Sequence, residues 1–363
     1  MESEILQGVQ FTSEPFDLDF KFEAGTSRGV LTQKRAYWVK ASQQGDRDTF
    51  GIGEAAPLPK LSIDDIPDFK SILADLCHTL SDVRIPADEA KILDWVAQHI
   101  PQELPSVRFA FETALLDLAN GGKRIVFDSP FVQDHESIAI NGLIWMGNKE
   151  DMLAQIEQKL QDGFTCIKIK IGALDFEQEC SLLEFIRARF SNKQIELRVD
   201  ANGAFTPEEA MHKLERLSAY VLHSIEQPIR QGQLDNMEQI CIASPVPVAL
   251  DEELLGVFGI ENKRKLLEKL KPSYIIIKPS LLGGIKESAE WIELASSLGI
   301  EWWITSALEG NVGLNSIAQF TATFQPRLPQ GLGTGQLFHN NVESPLTVAR
   351  GELFYDRKKS WGI

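Results

Sequence analysis

Residues 16–22, FDLDFKF, alternate apolar and polar side chains with period 2, the mark of a strand with one buried face. Gly25 and Gly29 interrupt the pattern, and VLTQKRAYWVK and DTFGIGEA then resume it, so this stretch predicts an antiparallel sheet. From about Ser62 to Asn120 the apolar spacing lengthens to three and four residues, as in SVRFAFETALLDLA, and predicts helices. The first 125 residues or so therefore read as an α+β domain.

After Ala139 short β-rich runs alternate with amphipathic stretches. IAINGLIW leads to a helix over 149–161, CIKIKIG to one over 175–190 and IELRVD to one over 206–219. YVLHSIE, PVALD, YIIIK and EWWITS follow, separated by helices near 232–242, 257–269 and 285–298, with a further helix after the last. One start is fully written out: Thr206 as N-cap, Pro207 in the first helical position and Glu209 placed for a capping box. Strands alternating with helices of this length imply parallel strands joined by right-handed crossovers. Seven or eight such units favour a closed barrel. The predicted fold class is α/β: a (β/α)7β TIM-like barrel over residues 126–334, with an N-terminal α+β capping domain over 1–125 to which the chain end, 335–363, returns.

Composition narrows the function classes. Thirty-six Lys+Arg against 52 Asp+Glu leave a net charge of −16, which repels phosphate backbones and anionic membranes, so neither nucleic acid nor a membrane is an expected partner. MESEILQGVQF lacks the basic-then-apolar order of a secretory leader, and no apolar run approaches the ~20 residues of a membrane span. The expected location is the cytoplasm. Cys77, Cys166, Cys180 and Cys241 are scattered without metal-binding spacing and read as buried, reduced thiols.

In a parallel barrel the active site lies at the C-terminal ends of the strands. CIKIKIG puts Lys168 and Lys170 on one face of its strand, with Ile167, Ile169 and Ile171 on the other. The following strands end in Asp200, Glu226, Asp251, Lys278 and Ser306, at intervals from Lys170 of 30, 26, 25, 27 and 28 residues. Each interval is one βα unit, so the period brings all six groups to one rim. On an exposed strand Lys-x-Lys is a solvated face, but a barrel strand has none, and its lysines need anionic partners. Taken singly, Asp251 also suits the N-cap of a helix opening at EELLG, and Asp200 an Asx-turn in DANG. Glu226, followed by Gln227-Pro228, has no such role. Three carboxylates on consecutive strand ends repel one another, and a hard divalent cation relieves this most simply. Mg²⁺ is expected, with Mn²⁺ able to replace it; without His or Cys at matching strand ends, zinc is disfavoured.

Lysines beside such a platform suit removal of the proton α to a carboxylate. An unperturbed lysine titrates near ~10.4, so nearby positive charge is expected to lower the one that acts as base. Asn202 and Arg198, two residues to either side of Asp200, are supporting neighbours, and Arg198 is expected to pair with carboxylates deeper in the barrel.

GEAAPL (Gly53 to Leu58), the Lys-x-Lys strand, the Asp/Glu/Asp series and KPSLLGG together resemble the enolase superfamily over essentially the whole chain. Lysines on both sides, with no His-Asp pair, are similar to its muconate-lactonizing subgroup. TSRG near residue 27, SALEGNVG after the seventh strand and GLGTG near residue 333 are similar to the o-succinylbenzoate synthases of that subgroup.

The resemblance implies an enolase-like fold and a hydro-lyase. Its reaction would be the syn-dehydration of 2-succinyl-6-hydroxy-2,4-cyclohexadiene-1-carboxylate in menaquinone biosynthesis. It implies Lys170 as the base, which then helps the hydroxyl leave from the same face, and Lys278 as the opposing cation on the ring. Lys168 would neutralise the substrate carboxylate, and Asp200, Glu226 and Asp251 would hold the metal. Ser306 and Gly333 would contact substrate, and loops near 24–29 and 53–60 would cover the barrel mouth, the first bringing Arg28 to a distal substrate carboxylate. A small carboxylate is the implied partner, and homo-oligomerisation is left open.

Three related activities compete. Dipeptide epimerases of the family carry an Asp-x-Asp after the eighth strand, whereas no Asp or Glu occurs between Glu309 and Glu343 here. N-succinylamino acid racemisation stays open because the succinyl group is shared. Muconate cycloisomerisation would need Glu309 in a role that SALEGNVG does not specify. A non-catalytic ligand-binding barrel predicts loss of strand-end charges, and none is lost.

Overall fold

The computed structural model describes residues 5–26 and 29–363. Strands β1 (Ile5–Thr26), β2 (Gly29–Gln43) and β3 (Asp46–Ala55) form an antiparallel sheet, and its pairing shifts register between Asp19 and Ala24, just before the glycine break. The stretch expected to be helical resolves into α1 (Phe69–Thr79), α2 (Glu89–His99) and α3 (Pro105–Ala119). Between the first two lies an unforeseen strand, β4 (Val83–Pro86), which pairs with the start of β1 and completes the order β3-β2-β1-β4. Four residues are too few to establish a period, and the proline is tolerated because β4 is an edge.

Helix α3 is buried from Pro105 to Leu118. It lies directly on β3, where a Cβ added to Gly53 would stand 1.9 Å from Ala110 O and one added to Gly51 would stand 2.0 Å from Ala114 O. Only glycine permits that approach.

The second layer is the barrel. Strand β5 (Ile138–Ala139) turns away, and β6 (Gly142–Ile144) opens the parallel series. There follow α4 (Lys149–Gln161), β7 (Cys166–Lys170), α5 (Phe176–Arg187), β8 (Glu196–Asp200), α6 (Pro207–Ser218), β9 (Ser224–Glu226) and α7 (Leu234–Ala243). The rest is β10 (Val248–Leu250), α8 (Ile260–Leu270), β11 (Tyr274–Ile277), the short α9 (Pro279–Leu282), α10 (Gly284–Ser297), β12 (Glu301–Ile304) and α11 (Asn311–Ala322). The capping box at α6 is formed as expected, Thr206 and Glu209 each bonding the other's backbone N–H.

The seven strands β6 to β12 pair in sequence order. Residues 330–331 span the remaining gap through parallel bridges Ile140↔Gln330 and Thr305↔Gly331. The buried Gln330 side chain reinforces the closure, accepting from Ile304 N at 2.7 Å and donating to Leu328 O at 2.6 Å. Outward-facing Ile167, Ile169, Leu197, Val199 and Ile225 join the helix layer in one core. Ala249, Ile276 and Trp303 form a separate small core.

The chain end divides. Leu337 O accepts from Lys21 N at 2.9 Å and His339 N donates to Asp19 O at 2.8 Å, so 337–339 run along β1. The hairpin β13 (Leu346–Ala349) and β14 (Glu352–Tyr355) pairs instead with β5. Cys77, Cys166 and Cys180 are buried free thiols, and Cys241 is half-buried. Among the described residues no helix is long and apolar enough to cross a membrane.

Candidate active site

Parallel register aligns Lys170 with Asp200 and Asp200 with Glu226, so three consecutive strands end at one height. Lys168 Nζ lies 2.6 Å from Glu226 Oε2 and 3.0 Å from Asp200 Oδ2. Lys170 Nζ lies 3.2 Å from Asp200 Oδ2 and donates to Asn202 Oδ1 at 2.8 Å. Lys278 Nζ donates to Asp251 Oδ2. Lys168, Lys170, Lys278, Asp200, Ser306 and Gly333 line one cavity. Strands β7 and β11 stand four places apart in the sheet order. In a closed barrel of eight positions, that sets their lysines on opposite walls.

Burial and charge compete at every group. Burial works against ionising Asp200, but the ammonium groups of Lys168, Lys170 and Lys278 outweigh it and hold the carboxyl well below its usual range. Glu226 is pushed up to about 7, by burial first and by the charge of Asp200 second. Burial also raises Asp251, against the pull of Lys278. For Lys168 and Lys278 burial favours the neutral form, yet facing carboxylates win and raise both. At these two lysines each ammonium rests on a carboxylate and not on another cation.

The local alternatives separate cleanly. Asp251 precedes a 3-10 turn over 252–254 but makes no side-chain cap bond, and its carboxylate goes to Lys278. Asp200 does both things at once: Oδ1 accepts from Asn202 N at 3.0 Å, the Asx-turn, while Oδ2 takes the lysines. Asn202, at φ 44°, also donates to Glu252 Oε1 at 3.2 Å. Ser306 Oγ contacts Thr334 Oγ1 at 2.5 Å. Arg28 lies outside the described residues.

Arg198 lies deeper in the barrel, away from the rim. It bonds Glu196 Oε1 at 2.7 Å and Pro329 O at 2.9 Å, and its guanidinium stacks 4.2 Å over the Trp303 ring. Glu196 begins β8 and Asp200 ends it, so the two-residue period carries Arg198 toward the opposite end of the barrel. Its role there is structural.

Sequence reasoning missed Gln227. This fully buried side chain accepts from Asp251 N at 3.2 Å and Glu253 N at 3.3 Å, tying the end of β9 to the end of β10. The available signal was a polar residue directly before a proline at a strand end. Asn141 and Thr305 were missed too; both line the cavity, and their buried Oδ1 and Oγ1 have no hydrogen-bond partner. Leu58 lines the cavity from the capping side, and Trp145, directly after β6, lines it from the barrel, its ring meeting Phe22 edge-on at 5.7 Å.

Among the described residues no three acidic, histidine or cysteine side chains are arranged to hold a metal ion; Lys168 contacts Glu226 Oε2 and Lys278 contacts Asp251 Oδ2. The donor set itself fits a hard divalent cation. It is three carboxylates on adjacent strand ends, and Glu226 Oε1 is buried without a hydrogen-bond partner.

A model of the enolase C-terminal domain-like family matches residues 151–363, and the chain belongs to the enolase superfamily, whose enzymes are generally dependent on a divalent metal. Within that class the chain is 44% identical to the o-succinylbenzoate synthase of Desulfotalea psychrophila, over 96% of this chain and 99% of that one. The crystal structure of MenC from the same organism matches with a TM-score of 0.84 at 42% identity, covering 96% and 99% of the two chains. This chain is an o-succinylbenzoate synthase homologue and an enzyme of the lyase class. A substrate-liganded L-Ala-D/L-Glu epimerase from Bacillus subtilis matches with a TM-score of 0.82, covering 98% of each chain, but at 21% identity it shows the shared fold alone.

Proposed function

We propose that this chain dehydrates 2-succinyl-6-hydroxy-2,4-cyclohexadiene-1-carboxylate to o-succinylbenzoate in menaquinone biosynthesis, in the cytoplasm and with Mg²⁺. The observation that carries the reading is the pair Lys170 and Lys278 on opposite walls of one cavity, with Asp200 beside them. We also propose residues 1–125 as the capping part and 126–334 as the catalytic barrel; of the returning chain end 335–363, residues 337–339 join β1 of the capping part, whereas the β13–β14 hairpin joins β5 of the barrel part.

Asp200, Glu226 and Asp251 would hold the ion. When bound, it supplies positive charge to the substrate carboxylate as the α-carbon becomes an anion. Lys170 takes the α-proton at Nζ, then returns a proton to the departing hydroxyl on the same face, so that the hydroxyl leaves as water and the ring becomes aromatic. Asn202, which accepts from Lys170 at 2.8 Å, orients that ammonium. Lys278 faces the planar anion from the other side, and Lys168 offsets carboxylate charge deeper in the rim.

N-succinylamino acid racemisation is a second reading, favoured by the same two-sided lysines. Purified protein should be assayed for o-succinylbenzoate formation and for racemisation side by side, with and without Mg²⁺. Rapid Mg²⁺-dependent product formation supports the first reading, and racemisation alone supports the second. Absence of α-proton exchange in deuterated solvent with either substrate defeats both.

A further inference from the structure

Lys34, on strand β2 of the N-terminal sheet, is 1% exposed and sits beside buried Ala36 and opposite buried Leu18. Its Nζ donates across the interface to Ala307 O at 2.7 Å and Leu308 O at 3.0 Å. Those carbonyls belong to the segment after β12, of which Ser306, Ala307 and Leu308 line the substrate cavity. Leu308 has φ 63°, a left-handed conformation that a leucine rarely adopts and that surrounding bonds must impose.

The same segment is held from two further sides. Glu54, from the GEAAPL run on β3, accepts from Gly310 N at 2.6 Å and Gly313 N at 2.9 Å. Glu309 folds back to accept from Ala307 N at 2.7 Å and takes the hydroxyl of Ser280, two residues beyond Lys278. Glu54 and Glu309 are fully buried. With Lys34 they form a charged cluster that joins the capping sheet to the segments following β11 and β12.

We propose that Lys34 is a positioning residue: by binding the Ala307 and Leu308 carbonyls it fixes the left-handed turn that presents the Ser306–Leu308 wall to the substrate. The N-terminal sheet thus shapes the pocket from behind as well as covering it. The kinetic arm of the test rests on the dehydration reading; the exchange arm does not.

Lys34→Met keeps the chain's length and apolar stem but removes the donor. In the intact protein, hydrogen–deuterium exchange of amides over 306–313 should quicken at least tenfold, while peptides from β7 to β9 stay unchanged. The KM for the cyclohexadiene carboxylate should rise about tenfold, with kcat lowered less than threefold and the Mg²⁺ requirement unaltered. In a Leu308→Gly background, where the turn is free of strain, Lys34→Met should raise KM less than threefold.

Unchanged exchange in folded Lys34→Met overturns the proposal, as does a loss confined to kcat or a fully additive double variant. Where Lys34→Met does not fold, Lys34→Gln is measured in the same way; failure of both to fold assigns Lys34 to stability alone and also overturns it. A wild-type protein that does not turn over the substrate defeats the dehydration reading, and exchange over 306–313 then decides the role of Lys34 by itself.

Discussion

Two sets of buried carboxylates in this molecule differ in what they face. Asp200, Glu226 and Asp251 at the barrel mouth face lysine side chains, and one oxygen, Glu226 Oε1, has no hydrogen-bond partner. Glu54 and Glu112 at the interface of the two layers face backbone N–H groups at helix starts. Glu54 takes Gly310 N and Gly313 N at the start of α11, and Glu112 on α3 takes Ile285 N at 2.5 Å at the start of α10. Backbone donors are fixed by the helix and complement its dipole, so the second set docks the capping layer. Ammonium groups on long side chains can exchange one partner for another, so the first set can accept a cation and a substrate. Residue type and burial are alike; the partner decides the use.

The largest test of that contrast is Lys170→Ala, which should lower turnover by on the order of 10³ to 10⁴. Mg²⁺ affinity, measured by calorimetry, should hold, since no carboxylate is lost; near-native turnover would refute the assignment. Glu226→Gln should raise the Mg²⁺ concentration needed for half-maximal activity by about tenfold or more, because a formal charge leaves the hard-cation set. An unaltered Mg²⁺ titration would contradict that.

Glu112→Ala should act in the opposite sense. Urea unfolding should show a loss of about 2–3 kcal/mol from unpaired buried amides, with Mg²⁺ activation unmoved. A shifted Mg²⁺ dependence would erase the distinction between the two sets.

A smaller, pH-dependent effect follows from the same residue. Burial pushes the Glu112 carboxyl up to about 8 from an ordinary 4.5. The folded chain therefore holds a proton there that the unfolded chain has lost between those values. This contribution to stability is complete below pH 4.5 and disappears as pH rises through about 8. The midpoint of thermal unfolding should accordingly fall from pH 5 to pH 9 by a few degrees more in the wild type than in Glu112→Gln.

The smallest effect concerns His223, which burial, aided by Arg198, lowers to about 4 from 6.5. Here the unfolded chain binds the extra proton, so stability falls as pH drops from 6.5 to 4. His223→Phe should flatten that acid limb in a thermal scan; an identical limb would remove His223 from the account.

Much of the rim was legible before folding because barrel periodicity is local arithmetic. Lys170, Asp200, Glu226, Asp251, Lys278 and Ser306 follow one another by single βα units, and each strand's alternation states which side chains share a face. That alternation carried Arg198 to the face of Asp200 but two residues deeper, and the structure puts it on Glu196 and Trp303. Gln227, Asn141 and Thr305 escaped notice because an uncharged polar residue at a strand end has no signature until its neighbours are known. β4 escaped because four residues cannot declare a period.

By itself the sequence determined the alternation of elements, the barrel's repeat and the identity of the charged residues at its mouth, since these depend on residues a few positions apart. Only the tertiary structure decided which buried charge meets which partner. Glu54 bonds an amide 256 positions away and Lys34 a carbonyl 273 positions away, contacts that exist only after α3 and the N-terminal sheet pack on the barrel. Such pairings follow from the shape of a closed interior, where a charge must find whatever donor or acceptor packing brings near, and no local pattern records that choice.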